Sequence, residues 1–154
     1  MTTSEWASVA ATRFVEQEGQ ESAKWIVVQQ RHRALQEQAP KLWDSIRQAL
    51  KARLGIFNDC VGREVLTAYL GGDKRFTLNA RMETGRRGLC ADFDTNRYAI
   101  TCSAYTKDGR VDFDRRYAMI LNDQNHAVIT APSRGEMGPD DVAEQLLNGL
   151  LGWK

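Results

Sequence analysis

Residues 89–104, LCADFDTNRYAITCSA, decide the fold. Over 89–94 the apolar side chains Leu89, Ala91 and Phe93 alternate with Cys90, Asp92 and Asp94; after Thr95-Asn96 the phase inverts, and Tyr98, Ile100, Cys102 and Ala104 carry the apolar positions. A two-residue period sends successive side chains to opposite faces of a strand. Two such strands joined by polar residues form an antiparallel hairpin with one face hidden. Their apolar residues must share that face, because a slip of one residue inverts every side chain. A two-residue Thr95-Asn96 loop then sets Phe93 opposite Tyr98, with Asp94 and Arg97 flanking it as an opposite-charge pair.

Working outward, Asp108-Gly109 is a strong two-residue hairpin signal. With faces matched, it sets Ala104 opposite Phe113 and Ile100 opposite Tyr117. Alternation also runs through Glu64–Leu70, Lys74–Met82, Val111–Leu121 and His126–Thr130, separated by Gly71-Gly72-Asp73, the polar Gly-bounded loop Glu83–Gly88, and Asn122–Asn125. The expectation is a five- or six-stranded antiparallel β-meander over 61–131.

Helical periods flank the meander. Ser4–Gln38 is rich in good helix formers, with Ser4 a fitting N-cap. Its apolar stripe of Trp6, Val9, Ala10 and Phe14 fades through Gln17–Gln20 and resumes at Ala23, Ile26, Val27 and Leu35. Gly19 lies in the gap and Ser22 could cap a second piece, so the sequence leaves continuity through Gly19 open. Unbroken, 35 residues span roughly 52 Å, against a radius of gyration near 15 Å for a chain of this length. Such a helix overhangs its own core, and its apolar residues then need a partner; a homodimer through the first helix is the expectation. Pro40 ends this helix and starts the next, which runs to Phe57 with Leu42, Trp43, Ile46, Ala49, Leu50 and Leu54 on one face. Residues 1–58 thus form a helical hairpin. The closing helix, 138–153, is marked by Gly138 at N-cap, Pro139 at N1, Asp140 and Asp141 in the first turn, and a Val142, Leu146, Leu147, Leu150 and Leu151 stripe. The fold class is α+β: an N-terminal helical hairpin and a C-terminal helix packed on the meander, in a single domain of 154 residues.

Composition narrows function by exclusion. Lys and Arg number 21 against 20 Asp and Glu, so the basic excess that neutralises phosphates is missing and nucleic acid is a poor partner. The longest apolar run, Tyr117–Leu121, is far short of the roughly 20 residues a membrane helix needs. Met-Thr-Thr-Ser-Glu-Trp offers no signal-peptide pattern. Three separated cysteines, Cys60, Cys90 and Cys102, fit reduced thiols in a cytoplasm.

No catalytic constellation stands out. Asp-Phe-Asp occurs at 92–94 and 112–114, but the expected register holds Asp92 and Asp114 on strands about 9–10 Å apart and offset by about 13 Å, so no metal is expected. Only His32 and His126 are available as imidazoles, too few and too scattered for zinc or a cysteine–histidine pair. No Gly-rich phosphate loop and no cofactor signature is present. Arg81, Arg86 and Arg87 form the densest basic spot, a solvated loop or a weak nucleic-acid contact. Arg115 breaks the apolar phase of Phe113, Tyr117 and Met119. Either a β-bulge over Asp114–Arg116 or a snorkelling stem takes it to solvent, or it faces an anion together with Tyr98 and Tyr117. The leading expectation is a non-catalytic binding or protein-interaction domain. The alternatives are a carrier or enzyme for a small anionic ligand held between sheet and helices, and the basic-loop contact. The sequence names neither ligand nor pathway.

Overall fold

In the computed structural model, which describes residues 2–153, one helix of 59 residues, α1 (Thr3–Val61), leads into seven strands. These are β1 (Leu66–Tyr69), β2 (Arg75–Met82), β3 (Gly85–Asp94), β4 (Ala99–Tyr105), β5 (Val111–Leu121), β6 (Ala127–Ala131) and β7 (Gly135–Met137), before α2 (Pro139–Leu151). The strands lie in chain order and every neighbouring pair is antiparallel. The α+β class and the meander therefore hold, with seven strands rather than five or six. The seventh, β7, is three residues long, too short to show alternation. Positive φ at Ser133 and Gly135 folds it back on β6.

The helical hairpin does not form: Pro40 lies inside α1, and Gly19 does not interrupt it. The apolar phase explains why. Leu35, Ala39, Trp43, Ile46 and Leu50 hold one stripe through the proline, and all belong to or pack on the same core. A break at Pro40 would rotate half of that stripe away from the sheet. The hydrogen bond that proline cannot donate belongs to the Gln36 carbonyl, and both residues are exposed, where water satisfies it. The N-cap is Thr2 rather than Ser4; its hydroxyl accepts from Glu5 N while the Glu5 carboxylate accepts from Thr2 N, a capping box. Gly62 ends the helix in the left-handed region.

Trp43 is the centre of the core, stacked on Phe76 at 4.8 Å and Phe93 at 5.3 Å between ring centroids. Ile46, Leu50 and the α2 residues Val142, Leu146 and Leu150 complete it over Leu78, Leu89, Ile100 and Tyr117, all fully buried. Each large side chain so buried stabilises the fold by about 1.5–3 kcal/mol. Polar side chains of α1 fasten it to both ends of the sheet. Asn58 Oδ1 accepts from Val65 N and Leu66 N, and Gln38 accepts from Ala127 N and donates to the Asn125 carbonyl. Arg53 reaches Glu144 at 3.2 Å, tying α1 to α2. The closing helix starts as expected, with Gly138 at N-cap, Pro139 at N1 and Asp141 accepting from Gly138 N.

Register is where the sequence reading and the structure part. In β3–β4, Phe93 faces Ile100, not Tyr98. The loop is therefore Thr95–Tyr98, four residues, because Asp94 Oδ1 accepts from both Asn96 N and Arg97 N and Tyr98 takes a positive φ. A slip of two residues keeps every side chain on its face, so the hidden face is unchanged. In β4–β5 the expected pairs stand: Ala104 with Phe113, Cys102 with Arg115, and Ile100 with Tyr117. The only irregularity there is at Ala104/Tyr105, not at Asp114–Arg116. The turn tightens around Lys107-Asp108-Gly109, with Thr106 N donating to the Arg110 carbonyl. Glu83–Gly88 is not a loop. Met82 pairs with Gly85 and Arg81 with Arg86, so β3 begins directly after a two-residue turn.

Candidate functional site

The feature that the core leaves unexplained is the N-terminal half of α1. From Thr3 to Arg33 every residue is exposed except Ala10, which is half-buried. Side-chain bonds to the body begin only at Arg31, whose guanidinium donates to Asn125 Oδ1 at 2.7 Å, and His32, edge-on to Tyr98 at 6.1 Å. The free stretch of about 28 residues projects roughly 42 Å. We call it the arm.

The arm is not a solvated polar helix. Trp6, Val9, Phe14, Val15, Trp25, Ile26, Val27 and Val28 all stand more than half exposed. The last four are consecutive and are 53–62 % exposed. At 100° per residue, four consecutive side chains point in directions spread around the whole helix. They form an apolar belt, and a partner helix approaching from any side meets it. A soluble helix that is apolar all round is a buried helix. Propensity also argues for a partner, since Ile26, Val27 and Val28 are β-branched and lose χ1 freedom in a helix. Within the arm, the side-chain bonds are the capping box and Thr12 Oγ1 donating to the Ser8 carbonyl.

Charge is polarised along the same segment. Glu5, Glu16, Glu18 and Glu21, offset only by Arg13, precede Lys24, Arg31 and Arg33, and no acid follows until Glu37. Reading the first helix for its stripe found the overhang and Trp6, Val9, Phe14, Ile26 and Val27. It passed over Val15, Trp25 and Val28, although four successive apolar residues in a helical segment were signal enough.

The residues expected to orient an anion are spread apart. Tyr117 is fully buried and donates from its hydroxyl to Gln145 Oε1 at 2.7 Å; burial first, then the neighbouring Cys102, pushes its ionisation well above the ordinary tyrosine value. Arg115 lies opposite Cys102 but is exposed. Its guanidinium sits 5.0 Å above the Phe113 ring and donates to the Asp114 carbonyl, a snorkelling geometry. The Tyr98 carbonyl accepts from Met119 N, four residues and about 13 Å along the sheet from Arg115. These two side chains do not converge on one small ligand.

The basic segment divides likewise. Arg87 points to the helix side and closes the end of α2: its guanidinium donates to the Leu150 carbonyl at 2.7 Å, to the Gly149 carbonyl and to both oxygens of Asp112. Its role is a helix C-cap. Arg81 and Arg86, paired across β2–β3, line an open cavity of about 450 Å³ with Glu64, Thr67 and Asn79.

The carboxylates of the two Asp-Phe-Asp triplets have separate partners. Asp92 pairs with Arg75 at 2.6 Å, Asp94 caps its turn, Asp112 holds Arg87, and Asp114 accepts from Ser103. Asp92 lies opposite Thr101, not beside Ala99, so its offset from Asp114 along the strands is about 7 Å rather than 13 Å. Among the described residues no group of acids, histidines and cysteines could hold a metal ion. Cys90 and Cys102 point to opposite faces, as expected, and both thiols are pushed up by burial, away from reactive thiolate. No helix in the described residues is long and apolar enough to cross a membrane. No protein-family model, curated protein or solved structure matches the chain.

Proposed function

We propose that this chain is a protein-interaction domain that assembles through the arm of α1, with the meander body as its anchor. The observation that carries the reading is the exposed belt Trp25–Val28, on a stretch of α1 that does not pack on the body. The eight large apolar side chains of the arm stand 53–64 % exposed, apolar surface of the kind that marks an interaction site. Full burial of each is worth about 1.5–3 kcal/mol, enough to offset the entropy of association when several are covered together. A helix laid against another helix is the recognition mode this surface fits. A second copy of the chain meets its requirements, giving the homodimer expected from the overhang.

Light scattering over a range of concentrations tests this directly. The chain is expected to run above its monomer mass of 17.4 kDa, and Trp25→Ser/Val28→Ser to run at it with the body still folded. A strict monomer at every concentration overturns the reading.

A further inference from the structure

Resting on that reading, we infer that two arms pair antiparallel, crossing near Trp25 and Ile26, with the acidic stretch of each against the basic stretch of the other. Charge complementarity selects this alignment. Glu16, Glu18 and Glu21 lie on the N-terminal side of the belt, and Lys24, Arg31 and Arg33 at its edge and on the body side. A parallel pair in register sets glutamate against glutamate and base against base along the whole arm. An antiparallel pair with its two-fold axis at the belt sets Glu21 of one chain near Arg31 of the other, and Glu18 near Arg33. By symmetry each contact occurs twice. These two pairings put the axis between residues 25 and 26, inside the belt. The apolar contact and the charge pattern thus select one alignment.

The body agrees with this crossing. Packing of α1 on its own sheet starts near Arg31, so residues 16–30 are free on all sides where a second helix would cross. The charges act at an exposed rim, where their main effects are alignment and partner choice.

Inverting the polarity separates the possibilities. Glu18→Lys alone and Arg33→Glu alone are each expected to weaken self-association several-fold, less at high salt. Arg31 is left in place because it bonds Asn125. Both changes together set the lysine at position 18 of each copy against the glutamate at position 33 of the other and leave Glu21 facing Arg31, so the inverted chain self-associates near the native level and prefers its own copy to wild type. A parallel pair behaves oppositely: partial reversal leaves like against like, and inverted and wild-type chains prefer each other. Of single cysteines placed in turn at 25–28, with Cys60 and Cys90 changed to serine, one or two, those facing the partner, are expected to cross-link to their own copy. A cysteine at position 12 is not. Cross-linking at 12, or preferential mixing of inverted with wild-type chains, overturns the antiparallel assignment while leaving assembly through the arm intact. Loss of association in the wild type itself overturns both.

Discussion

Arg87 shows how one side chain serves several needs. The last turn of a helix leaves carbonyls without partners, and here the guanidinium takes those of Gly149 and Leu150 while pairing with both Asp112 oxygens. Arg87→Ala is expected to destabilise the fold by about 1–3 kcal/mol in urea melts, since the Leu150 carbonyl and the Asp112 carboxylate lose Arg87 together while the Gly149 carbonyl keeps Gly152 N. The same contact sets an acid dependence. The Arg87 hydrogen bond, then its charge, holds the Asp112 carboxyl below its ordinary value of 3.8. A lowered folded-state value means the contribution is fully present above pH 3.8 and is lost as pH falls through the folded value. Asp112 is partly exposed, so Asp112→Asn is expected to cost only about 0.5–1 kcal/mol at neutral pH. That difference should vanish in melts below its folded value. None of this was legible in Gly85-Arg86-Arg87-Gly88, where a loop was the natural reading. Four successive residues say nothing of a helix end more than sixty positions away.

At the scale of elements, the sequence was most informative where a period was long and uniform. Alternation over 61–131 gave the meander and the hidden face, and Gly138-Pro139 gave the start of α2. It failed where a local signal met tertiary packing. Pro40 reads as a boundary, yet the continuous stripe of Ala39, Trp43 and Ile46 on one sheet keeps α1 unbroken through it. In β3–β4 an Asp94 side chain, not the Thr95-Asn96 dipeptide, chose the loop length. Face assignments survived that shift because it was even. The interior proline makes a prediction of its own. Pro40→Ala restores an ordinary backbone bond to Gln36 and is expected to raise stability by about 1–3 kcal/mol. A loss of stability in chemical denaturation would mean that the proline shapes the helix for packing.

For the whole molecule, the partition of apolar surface matters most. The body hides Trp43, Phe76, Ile100 and their neighbours almost completely, while two tryptophans, Trp6 and Trp25, stand 62 % exposed on the arm. Large exposed apolar surface marks an interaction site, and here it lies on one projecting element with its charge sorted along the axis. The overhang was legible from length alone, by setting a 35-residue helical segment against the size of a 154-residue chain. The belt that gives it purpose was legible in four adjacent residues. An arm alone in water, with a β-branched run and Gly19 in its middle, would fray and exchange its amides quickly. Hydrogen exchange of the amides of residues 14–28, followed over a dilution series, therefore tests the central claim most directly. Slow exchange at high concentration that gives way to fast exchange on dilution is the predicted result; fast exchange at every concentration would contradict it.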